Sequence, residues 1–264
     1  MKKIIFFFFI LSITSTEIYS KIFIPNDIYF HVYRNGTKIG YHKINFSLKT
    51  NENKSNLINA NVEIDFDVQF LGFSIYSYKH SNHEIWKIVP NETVSAVCHN
   101  CNNLNILEEL SSVTDKNGSE MFCNIKKDLD GNMSHLVARG SHSSTSELSH
   151  IYTLPSSYWD HHLVTRNYSA KDLVIDKNNL VKEKIVFNSQ DCSKINFTIK
   201  NLGKEKIYDG SLYASRYKLK GKESTGEDIN IDIWYDDKGN WVKMIFIKDG
   251  SEIEYFLDKY HERK

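Results

Sequence analysis

The chain has 264 residues, 33 of them basic and 33 acidic, so its formal net charge is zero, and the two signs are interspersed along it. Such a balance excludes the electrostatic footprint by which a domain gathers nucleic acid or an anionic bilayer. A hydrophobic share of 41% and an aromatic share of 13% are enough for one substantial core. The first residues read Met1-Lys2-Lys3, an apolar run over 4–11 and a small polar stretch to Ser20, the layout of a secretory signal peptide. The run is shorter than the roughly 20 residues that span a bilayer. The expectation is an exported protein, periplasmic or secreted, with residues 1–20 as signal, residues 21–264 as a single β-rich domain, and no transmembrane segment after signal removal.

Strand signals then follow in order. Residues 28–34 alternate, Asn35-Gly36 is a two-residue hairpin signal, and 38–48 alternate again with Ile44, Phe46 and Leu48 on one face. In 58–70 the alternation is unbroken, with Ile58, Ala60, Val62, Ile64, Phe66, Val68 and Phe70 set against polar neighbours. At roughly 3.3 Å per residue such a strand runs for about 40 Å. It needs long neighbours, and they bury its apolar face by curling around it. Gly72 suits a corner into another strand that ends at Glu84-Ile85-Trp86.

From Pro90 the pattern weakens: 94–98 is strand-like and 100–105 a polar loop. Strands are expected over 106–114, 121–127 and 135–139, separated by turn sequences at Asn117-Gly118 and Asp130-Gly131-Asn132. The serine-rich run 141–149 reads as an exposed loop. Leu154-Pro155-Ser156-Ser157 is the best helix start, with Ser156 or Ser157 as cap and Leu163 and Val164 continuing an apolar face. Short strands are expected at 184–187, 195–200, 204–208 and 212–219. A three-stranded meander over 229–257 ends the chain. The expected fold class is therefore mainly β: a curved antiparallel sheet, open β-barrel or sandwich with one short helix.

With those residues in view, the chain resembles a family of exported Gram-negative bacterial proteins of unknown function. The carriers are Phe30-x-Val32 with Asn35-Gly36-x-x-Ile39-Gly40-x-His42, Glu84-x-Trp86, Thr114-Asp115-x-Asn117-Gly118, Leu154-Pro155-Ser156-Ser157-Tyr158-Trp159, and Trp234-Tyr235-Asp236-x-x-Gly239-x-Trp241 followed by Asp249-Gly250-x-x-Ile253-x-Tyr255. The resemblance implies a β-rich periplasmic fold and carries no activity with it. Paired cysteines in 98–123 are not part of the pattern. The bent sheet is also similar to the half-barrels of lipid carriers, an analogy of fold that supports no function by itself.

Cys98-His99-Asn100-Cys101 is the sharpest local feature, since two thiols at that spacing can hold zinc or form a redox pair. In an exported chain, however, Cys98, Cys101, Cys123 and Cys192 read as structural disulfides with three pairings open. His80, His83 and Glu84 do not make a metal site on a strand, because His80 and His83 face opposite ways. Asp160, His161 and His162 beside Ser156 and Ser157 invite a nucleophile and base, but no nucleophile elbow accompanies them. No catalytic residue, metal or cofactor is expected. Aromatic side chains inside a curved sheet either fill it or line a cavity.

The expected function is a non-enzymatic periplasmic carrier. A lipid or other apolar or amphipathic small molecule would lie against Val62, Ile64, Phe66 and Val68. The competing reading is a structural or assembly protein of the cell envelope, whose partner would be another envelope protein bound through a sheet edge or outer face.

Overall fold

The computed structural model describes residues 25–50, 56–90, 103–130, 133–151, 153–165, 173–176 and 179–263. The signal-like segment and the Cys98 and Cys101 pair lie outside these residues, as does the strand-like run 94–98.

Strands dominate. In chain order they are β1 (Ile28–Arg34), β2 (Thr37–Thr50), β3 (Asn56–Phe70), β4 (Phe73–Pro90), β5 (Asn103–Lys116), β6 (Ser119–Asp130), β7 (Met133–Gly140) and β8 (Ser143–His150). After these come β9 (Leu154–Pro155), the one-turn helix α1 (His162–Thr165), β10 (Leu173–Asp176), β11 (Asn179–Phe187), β12 (Lys194–Ile207), β13 (Leu212–Lys222), β14 (Asp228–Asp236), β15 (Trp241–Lys248) and β16 (Ser251–Leu257). A short 3₁₀ turn, Asp258–Arg263, ends the described chain.

All sixteen strands among the described residues belong to one sheet. Its path runs from β10 through β16, crosses from β16 to β1, and continues from β1 to β8, with each strand antiparallel to the next. The long alternating run is β3, flanked by β2 and β4 over most of its length, as its need for long neighbours required. The sheet curls but does not close, because its ends β8 and β10 do not pair.

The turn between β11 and β12 bridges that opening. His142 donates its backbone N–H to Asp191 O at 3.1 Å, the Ser112 hydroxyl donates to Ser189 O, and Cys192 is disulfide-bonded to Cys123 on β6. Gly140 permits the approach, since a Cβ there would sit 2.3 Å from Asp191 O. The core lies inside the curl, where Phe30, Ile44, Trp86, Leu110, Ile125, Phe197 and Trp241 are sealed from water.

Three readings need correction. The serine-rich run expected as a loop is the edge strand β8: its side chains are mostly exposed, so no apolar alternation marks it. The two strands expected at 195–200 and 204–208 are one strand, β12, with a bulge at Asn201 to Gly203. The helix does not start at Pro155. Leu154–Pro155 is instead a short strand pairing with β11, and the helix begins at His162.

Candidate functional site

The interior of the curl follows from the ladder. One transverse row is Phe30, His42, Ile64, His80 and Thr114 across β1 to β5; the row beside it holds Ile44, Val62, Asn82 and Ser112. Directly paired residues share a face, so histidines flank Ile64 on the inner wall. Opposite them stand Ile231 of β14, Met244 and Phe246 of β15 and Tyr255 of β16, and together these line a partly open cavity of about 200 Å³.

Of the residues expected to hold a ligand, Val62, Ile64 and Phe66 line this cavity. Val68 lies one step further along β3, in an adjoining cleft with Ile39, Ile75 and Ile253. Phe66 borders both, so the apolar face of β3 serves two spaces rather than one.

The sequence reading named His42 only within a family motif and His80 only in a metal trio that it set aside, and it did not single out Asn82. His42 is buried with neither ring nitrogen hydrogen-bonded within the protein, and its ring meets Trp241 and Tyr255 edge to face at 5.2 and 5.6 Å. Burial, with a smaller effect of His80, pushes its pKa down to about 3. His80 shares its Nδ1 with the Thr114 hydroxyl at 2.8 Å, and burial lowers its pKa to about 4. Both imidazoles are therefore neutral at physiological pH. Asn82 donates its amide to Glu84 Oε1 at 2.7 Å, which fixes the amide orientation and leaves Asn82 Oδ1 buried without a protein partner.

A pH dependence follows with a definite sign. Above about pH 6.5 the two histidines are neutral both folded and unfolded; below it the unfolded chain takes up protons that the folded one refuses. Stability is thus lost as pH falls from about 6.5 toward 4 for His80 and 3 for His42. At about pH 5 each histidine accounts for roughly 2 kcal/mol of the loss. In urea titrations at about pH 7 and about pH 5, His42→Phe is expected to lose about 2 kcal/mol less than wild type. Equal losses would show that His42 titrates normally.

Behind this wall Glu84 is fully buried. Its Oε2 accepts from the indole N–H groups of Trp86 (2.8 Å) and Trp159 (2.9 Å). Burial raises its pKa, against the opposing pull of those indoles, Asn82 and Ser157. His80, Asn82, Glu84 and Trp86 all face inward from β4 while His83 faces solvent, so the His80, His83 and Glu84 trio does not converge.

The Asp160 to His162 cluster is compact, and its metal-ligating atoms lie within 4.8 Å of one another. Two of the three residues, Asp160 and His162, already bond to each other. Asp160 Oδ1 caps the helix by accepting the His162 backbone N–H at 3.0 Å and also pairs with His162 Nδ1 at 2.6 Å. The Lys184 ammonium, on the His162 carbonyl at 2.7 Å, adds a positive charge that opposes a metal cation. The serines are neither helix caps nor placed as nucleophiles. Ser156 Oγ accepts the Ser189 backbone N–H at 3.1 Å, and Ser157 bonds to Glu84. The cluster borders a wider hollow with Lys204, Tyr235 and Asp237, separate from the His42 cavity.

A beta-barrel-like protein of a domain of unknown function, DUF1849, from Brucella abortus has a crystal structure that aligns over 89% of this chain and 95% of its own, with a TM-score of 0.48 and 9% sequence identity. No curated protein matches the chain. The model of the domain of unknown function DUF6134 matches residues 30–258, which is nearly every described strand, and the chain accordingly belongs to the DUF6134 family.

Proposed function

We propose that this protein is a non-enzymatic, exported binding protein that carries a small amphipathic molecule in the His42 cavity. The observation that supports the reading is the chemistry of the wall. Val62, Ile64, Phe66 and Met244 supply apolar surface, while His42 and Asn82 bring buried polar atoms that no group among the described residues satisfies. Buried polar groups are ordinarily hydrogen-bonded, so a ligand with a hydroxyl or similar neutral group completes them.

Size narrows the class. A cavity of about 150 Å³ holds benzene, so about 200 Å³ suits a ring system or the head of a longer chain. Desolvation of its apolar part contributes about 25 cal/mol per Å², and neutral His42 and Asn82 set its orientation. The test uses 1-naphthol, an apolar bicycle with one hydroxyl. Saturable binding is expected for wild type, with at least tenfold weakening in Val62→Trp, which fills the cavity. Ile64→Phe serves as a second filled variant, and near-ultraviolet circular dichroism checks the fold of both. Absence of saturable binding by wild type, or equal binding by folded filled variants, would reject the carrier reading.

A further inference from the structure

Four hairpins among the described residues have two-residue turns with positive φ at both positions, the geometry that favours Asn-Gly or Asp-Gly. Three follow the rule, at Asn35-Gly36, Asn117-Gly118 and Asp249-Gly250. The fourth, between β3 and β4, places Leu71 in the left-handed region at φ 52°, with Gly72 behind it. Leucine has no local hydrogen bond to offset that conformation, and here its side chain is 81% exposed. Phe73 beside it is 74% exposed, and Ile75, the extra residue of the adjacent bulge, 58%.

This tip also stands clear of the sheet. The last ladder pairs flanking it are Gly40 with Phe66 and Tyr78 with Lys116, and Ser77 is tied to the Asn117 turn. Residues 69–75 therefore project as a two-stranded finger, while Val68 and Tyr76 at its base pack against the core. The cleft beneath it shares Phe66, Tyr76, Phe246 and Lys248 with the His42 cavity, so the finger stands at that cavity's edge.

We infer that the finger Leu71, Phe73 and Ile75 is a membrane anchor that inserts into the interfacial region of a lipid bilayer. Area argues against a protein partner. With large apolar side chains taken as roughly 200 Å² each, the three expose roughly 400 Å², about half of the roughly 800 Å² per side of a specific protein interface. Insertion into lipid needs no complementary surface, and a narrow convex tip suits it. The inference goes beyond the carrier reading and does not require the cavity to be filled.

The test is flotation of the chain from Lys21 onward, which holds every described residue, with vesicles of phosphatidylethanolamine and a minority of phosphatidylglycerol. Wild type is expected to float with the vesicles. Leu71→Asn with Phe73→Ser is expected to lose at least tenfold in partitioning. Leu71→Asn gives this turn the Asn-Gly sequence that two other hairpins use, so the variant should melt no lower than wild type. Val62→Trp should float like wild type, which separates failure of the cavity reading from failure of this one. Wild type that stays in the dense fraction, or a variant that floats equally, would overturn the anchor. So would self-association of wild type abolished by the substitutions without any vesicle binding.

Discussion

Glu84→Ala is expected to destabilise the protein by about 3–5 kcal/mol, among the largest effects of any single substitution. The carboxylate is the common acceptor of Asn82 and Trp86 on its own strand β4 and of Trp159 in the segment before α1. Both indoles are almost wholly sealed from water, at 0% and 4% exposure, so their N–H groups find no replacement partner when it is removed. Each stranded buried donor costs about 1–3 kcal/mol. Against this stands the cost of burying the carboxylate, which shows as its raised pKa. Glu84→Gln separates the two effects. It keeps an oxygen for the indoles but turns an amide toward Asn82, so a smaller loss of about 1–2 kcal/mol is expected. Urea unfolding followed by tryptophan fluorescence measures both. A loss below about 1 kcal/mol for alanine would mean that the network contributes little.

Removing the Cys123 and Cys192 disulfide by double substitution to serine is expected to cost about 4 kcal/mol. The bridge spans 69 residues, and the loop-entropy relation gives about 3 kcal/mol for a 15-residue loop and about 4.7 for a 100-residue one. Its position adds a structural consequence. It ties β6 to the turn that closes the gap between the unpaired ends of the sheet. Loss of the bridge should therefore also raise hydrogen exchange at the backbone N–H of His142, which bonds to Asp191 O across that gap. Unchanged urea midpoints with and without the bridge would show that the β11 to β12 turn is held by its hydrogen bonds and packing alone.

The strands of the first half were legible because one face of each is apolar and the other wet. Alternation in 58–70 set both the length of β3 and the demand for a curled sheet around it. The polar wall was not legible for the same reason. On β4 the inward positions are Tyr78, His80, Asn82, Glu84 and Trp86, and a row of polar residues on a buried face gives no hydrophobic period. His42 was hidden likewise between Gly40 and Ile44 on β2. The helix start was misplaced because Leu154-Pro155-Ser156 has the composition of an N-terminus. Tyr158, at φ 62°, instead turns the chain so that Trp159 reaches Glu84, and Asp160 supplies the cap. The disulfide could not be read because four cysteines admit three pairings, and the choice depends on how the β11 to β12 turn docks.

The measurement that tests the carrier reading most directly is a native mass spectrum of the protein purified without detergent, set beside its denatured mass. A discrete small-molecule adduct is expected on the native chain, lost on denaturation and absent from Val62→Trp. Native and denatured masses that agree, with no adduct on wild type or variant, would contradict the account.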